Sequence, residues 1–240
     1  MLRIVVVGAA AALPLGLLAS SPATATTKTA TVMILHAIPD TVVDVYVDDT
    51  LLIDDFAPGA RKRVKVPGGT LNVELFPSDA PDSSGTALLA GEATVVNGKN
   101  YTVTANLTAD GGLALEVWTN NRASIKKSKK ANNRAGEGRL TVRHIGQAPG
   151  VTIYVDGEAV NPVTPLQNDG WQWQGTAKKG RYTIAAGLPG EPDPVVGPVR
   201  LRVRQGWNTI VYVWGQAAQA PEDTGYRVSR QYVKLKEPKK

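Results

Sequence analysis

Apolar and polar positions alternate with a period of two along much of the chain. Val43, Val45 and Val47 alternate with Asp44, Tyr46 and Asp48, and Val151, Ile153 and Val155 alternate with Thr152, Tyr154 and Asp156. This spacing predicts strands with a buried aliphatic face and a polar face turned to solvent. A slip of one residue would bury the aspartates, which specifies the register. Asp48-Asp49 and Asp156-Gly157 read as two-residue hairpin turns. Leu71/Val73/Leu75, Tyr101/Val103/Ala105 and Leu201/Val203 resume the alternation after Pro and Gly punctuation. No stretch after residue 25 sustains a 3.6-residue apolar period. The prediction is an all-β protein.

The pattern occurs twice. His36 to Asp48 lies on His144 to Asp156 without a gap, pairing His36 with His144, Tyr46 with Tyr154 and Asp48 with Asp156. Asn97-Gly98-Lys99-Asn100 meets Gln205-Gly206-Trp207-Asn208 at the same offset, whereas Gly69 to Val73 meets Gly180 to Ile184 shifted by three residues. A small loop insertion accounts for that shift. About seven short strands in roughly 95–100 residues suit an immunoglobulin-like sandwich. The expected fold is two tandem immunoglobulin-like antiparallel β-sandwich domains, residues 28–122 and 138–236, joined by a basic flexible linker, 123–137.

Residues 1–25 read as a signal peptide. Arg3 supplies a positive start, Ile4 to Leu18 an uncharged apolar run, and Ala23-Thr24-Ala25 a cleavage site. Cleavage there leaves a mature chain beginning near Thr26 with no later segment apolar enough to span a bilayer. The expected location is extracellular or wall-associated, or periplasmic in a host with an outer membrane. The 240 residues contain no cysteine and two histidines. That removes disulfides, thiolate metal sites and cysteine nucleophiles, and leaves little material for a zinc centre or a Ser-His-Asp triad.

Four segments carry a resemblance: Leu35 to Asp40, Val43 to Asp48, Val66 to Thr70 and Gly98 to Val103. Together they resemble a secreted bacterial family called domain of unknown function 4397. The likeness spans most of the first copy and is weaker in the second, where Thr152 stands for the motif aspartate and Gln147 for the proline. It implies export and a β-sandwich, often in tandem, and no reaction or ligand.

Charge divides unevenly. Residues 26–122 hold 7 basic and 12 acidic side chains, residues 123–137 hold 5 and 1, and residues 138–240 hold 14 and 8. A basic second domain and linker thus follow an acidic first domain. Lys126, Lys127, Lys129 and Lys130 are candidate phosphate contacts on the linker, against a plain soluble spacer. Arg200, Arg202 and Arg204 alternate with Leu201 and Val203, so three guanidinium groups leave one strand face about 6.5–7 Å apart, a ladder for an anionic polymer or simply a solvated face. Trp171 and Trp173 occupy one face of a strand and are candidates for stacking on sugar rings, against ordinary packing. Asp48, Asp49, Asp54 and Asp55 lack calcium-loop spacing and read as acidic turns. His36 and His144 share one repeat position, which points to a structural hydrogen bond.

No nucleophile elbow, phosphate-cradling loop or metal-ligand set is present in the sequence. The expectation is a non-enzymatic, cofactor-free cell-envelope protein. Its second domain would contact an anionic polymer or a surface protein. Carbohydrate recognition through the tryptophans is the alternative, and a wall-polymer hydrolase the more remote one. No specific nucleic-acid partner is expected.

Overall fold

A computed structural model describes residues 28–125, 136–161, 163–191, 193–217 and 225–237. The segment read as a signal peptide and the four linker lysines therefore lie outside the described residues. No helix among those described is long and apolar enough to cross a membrane.

The first eight strands are β1 (Thr29–Ala37), β2 (Val43–Val47), β3 (Thr50–Phe56), β4 (Arg61–Pro67), β5 (Gly69–Pro77), β6 (Leu89–Val95), β7 (Asn100–Leu107) and β8 (Leu113–Thr119). They form sheets ordered β4-β1-β7-β8 and β3-β2-β5-β6, which enclose a core containing Val32, Val45, Phe56, Leu75 and Val103. The second eight are β9 (Glu137–Gly146), β10 (Thr152–Val155), β11 (Glu158–Ala159), β12 (Gln172–Lys178), β13 (Gly180–Gly187), β14 (Pro194–Val203), β15 (Trp207–Gly215) and β16 (Arg227–Lys234). Their sheets run β12-β9-β15-β16 and β11-β10-β13-β14, the same order strand for strand. One pair in each sandwich, β1 with β7 and β9 with β15, is parallel. The eight-strand order closes the chain's first strand against its seventh, and a connection of that length permits parallel pairing.

Local chemistry explains the hairpins. Asp48 and Asp49 have φ of 47° and 61°, and Asp156 and Gly157 have 50° and 84°. Two consecutive left-handed residues make the turn whose twist matches right-handed strands, and Asp and Gly tolerate it best. Asp48 also accepts the Asn72 amide, and Asp156 accepts the equivalent Thr183 amide.

The repeat offset locates the insertion. β1 and β9, β2 and β10, and β7 and β15 begin at the spacing of His36 and His144 to within one residue, whereas β4 and β12 begin three residues further apart, at Arg61 and Gln172. The extra residues fall between β11 and β12. There β11 keeps only two residues against seven in β3, and the freed chain loops through Val163 and Leu166 before Trp171. Leu166 is tied to Val151 by an isolated bridge.

The two sandwiches dock through their corresponding sheets. Strands β1, β7, β9 and β15 are buried on both faces over much of their length, and the second face of each is the interface. Leu35, Ala37 and Trp118 from the first sandwich pack against Ile145, Ile210, Tyr212, Trp214 and Val233 from the second. Gly59, at φ 78°, lies beneath the Trp214 ring, and a Cβ there would come within 3.1 Å of it. We expect the halves 28–122 and 138–236, expressed separately, each to give a β-type circular dichroism spectrum and to co-elute on gel filtration when mixed. Two independent peaks at micromolar concentration would mean that this interface contributes little.

Candidate functional site

The interface contains a polar centre. Arg143 on β9 is fully buried; Leu35 occupies the matching position on β1 of the first sandwich. Its Nη1 donates to the Tyr212 hydroxyl at 2.9 Å, Nη2 to Asn120 Oδ1 at 2.9 Å and Nε to Gln172 Oε1 at 2.9 Å. Its guanidinium carbon lies 4.7 Å from the centroid of Trp118, within cation–π reach. The Tyr212 oxygen is 2.8 Å from both Thr102 Oγ1 and Gln231 Oε1, extending the network back into the first sandwich. Burial pulls the Arg143 guanidinium below its ordinary value, opposed chiefly by Tyr212. Beside it Glu116 is raised to about 7 by burial, with Arg143 acting against the shift and Asp169 adding to it. One Glu116 oxygen is buried without a hydrogen bond. These groups serve the junction between the sandwiches.

His36 and His144 are equally structural. His36 Nε2 donates to the Thr41 carbonyl at 2.7 Å, and His144 Nε2 faces the Ala148 and Pro149 carbonyls at 3.2 and 3.1 Å. Burial lowers both imidazoles. Each ring pins the loop that follows its strand.

The arginine row is an outward ladder. Arg200, Arg202 and Arg204 are exposed, and Leu201 and Val203 between them are buried. The fold adds residues that the linear pattern did not single out. β13 sets Arg181 directly opposite Arg202 and Thr183 opposite Arg200. β16, at the edge of the other sheet, brings Arg230 and Tyr232 alongside. Arg230 Nη1 donates to the Arg200 carbonyl at 2.9 Å, and the Arg204 guanidinium lies 4.3 Å from the Tyr232 centroid. An open groove of about 590 Å³ results, lined by Arg181, Arg200, Arg202 and Arg230 with Tyr182 and Tyr232. Asp156 is its one acidic lining residue, and that carboxylate is already occupied by the Thr183 amide at 2.7 Å and hydroxyl at 3.2 Å. Arginines placed opposite one another repel, so the groove is poised for an anion.

The tryptophans sit elsewhere. Trp173, on β12, packs half-buried against the second core and over Gly175, whereas Trp171 precedes that strand and is 73% exposed. Both line an open concavity of about 610 Å³ with Val163, Leu166, Asp169 and Gln172. The inserted loop builds this wall. Among the acidic residues, Asp44, Asp54 and Asp55 form the close cluster, while Asp48 and Asp49 make the turn. Asp44 is buried and accepts the Asp55 amide at 2.9 Å, so its strand does not turn every polar residue to solvent.

A family profile matches residues 30–146, covering the first sandwich and running on through β9. The matched family is Domain of unknown function (DUF4397). The DUF4397 match ends where β9 ends, before the rest of the second sandwich. No curated protein matches the chain. Among solved structures, a "putative cell adhesion protein" from Bacteroides eggerthii DSM 20697 is 12% identical, with coverage of 87% of this chain and 96% of that chain. Its TM-score is 0.22, too low for the likeness to bear on function.

Proposed function

We propose that this is an exported, non-enzymatic envelope protein whose second sandwich, a diverged copy of the first, holds an anionic polymer in the arginine groove. The observation that carries this reading is the convergence of Arg181, Arg200, Arg202 and Arg230 on one groove whose single carboxylate is already hydrogen-bonded. The tyrosines add flat surfaces beside the charges, and Arg204 is steadied by Tyr232. Export rests on the leader-like residues 1–25.

Replacing Arg200, Arg202 and Arg204 together by Gln should weaken sedimentation with purified, anionic cell walls, most strongly at low salt. Each lost contact lowers the salt slope by about one. Buried Leu201 and Val203 are untouched, so the melting curve should hold to within about 0.5 kcal/mol. Equal wall binding by wild type and variant at low salt would sink the reading.

A second reading has its own observation. The exposed Trp171 indole shares a concavity with Trp173 and the polar Asp169 and Gln172, a surface suited to an uncharged sugar ring. Binding there would survive high salt and vanish in Trp171→Ala.

A further inference from the structure

Resting on the reading of the arginine groove, we infer that its ligand is a linear polyanion long enough to continue onto the first sandwich, where β4 supplies the second half of the track. The first sandwich is acidic on average, yet four of its seven basic residues, Arg61, Lys62, Arg63 and Lys65, lie together on β4. All four are exposed. Strand alternation gives Arg61, Arg63 and Lys65 one face, and their partners across the β1 ladder are Leu35, Met33 and Thr31. Leu35 belongs to the apolar seam between the sandwiches, so this is the face turned toward the second sandwich.

Two hydrogen bonds join the ladders. Arg61 Nη1 donates to the Arg230 carbonyl, and Arg230 Nη1 donates in turn to the Arg200 carbonyl. Both acceptors are backbone oxygens rather than carboxylates. The guanidinium groups are therefore positioned without being neutralised, which leaves their charge for a ligand. Three same-face positions on a strand cover about 13 Å, so a compact oligophosphate occupies one ladder while a long chain reaches both. Docking of the two sandwiches creates the continuity. Neither half has the whole track.

The experiment uses the full chain, with tripolyphosphate and long-chain inorganic polyphosphate as probes, titrated at several salt concentrations. Replacing Arg61, Arg63 and Lys65 by Gln should weaken long-chain binding by about tenfold or more at low salt and reduce the salt slope by two to three. Tripolyphosphate binding should stay unchanged. Replacing Arg200, Arg202 and Arg204 should weaken both probes. The charge-keeping pair Arg61→Lys and Arg63→Lys should retain long-chain binding, which separates a charge effect from a disturbed interface. If the first-sandwich variant binds the long chain like wild type while the arginine-row variant does not, the track ends at the groove and this inference fails alone. If neither variant loses binding, the groove reading fails with it.

Discussion

Arg143→Ala should destabilise the protein by about 3–5 kcal/mol, the largest effect of any single side chain here. The guanidinium is completely buried and gives three hydrogen bonds, two of them to the buried Tyr212 and Asn120, which have no water to turn to. Removing one member of such a network leaves the others desolvated and unpaired. Arg143→Lys should recover little of the loss, because a point charge cannot serve Gln172, Tyr212 and Asn120 at once or lie flat on Trp118. Urea unfolding monitored by tryptophan fluorescence measures this. A cost below about 1 kcal/mol for Arg143→Ala would mean that water readily replaces the guanidinium at the junction.

The second large effect concerns pH. Glu116 is raised to about 7 by burial, so folding favours its protonated form. A group raised in the folded state contributes its stability in full below the unfolded value of 4.5 and loses it as pH climbs through about 7. The cost at pH 8 is on the order of 2 kcal/mol once partial exposure is discounted. The histidines act in the opposite sense. Burial lowers both, so their contribution is complete above 6.5 and declines as pH falls below that value. Glu116→Gln should therefore flatten the alkaline limb of the stability profile while leaving the acid limb to His36 and His144. Thermal melts from pH 5 to 8.5 test this. Parallel profiles for wild type and Glu116→Gln would show that the carboxyl ionises freely in the folded protein.

The two interface groups behind these effects look unremarkable in the sequence. Glu116 lies on β8, a segment outside the alternating runs named from the sequence, and Arg143 is one basic residue among many in the second half. Alternation assigns side chains to two faces but does not say that another sheet will cover the second one. Thr102, Thr104 and Asn106 therefore read as a solvated face, yet all three are buried because the second sandwich lies over them. A polar residue is compatible with either outcome. It needs a hydrogen-bond partner when covered and takes water when it is not.

What the sequence determined by itself was local or periodic. The strands follow from period-two alternation, the hairpin turns from Asp-Asp and Asp-Gly, and the duplicated strand plan from the spacing of His36 and His144. The outward direction of Arg200 and Arg202 belongs to the same class, since one strand's pleat decides it, and Arg204 follows just past the end of β14. Tertiary structure alone decided what stands beside that ladder. Arg181 arrives by pairing across β13 and β14, Arg230 from the edge of the opposite sheet, and Arg61 from the other sandwich. Those neighbours are separated by tens of residues or more along the chain, and no short-range rule links their positions. Packing of sheet on sheet, and then of sandwich on sandwich, brings them within hydrogen-bonding distance.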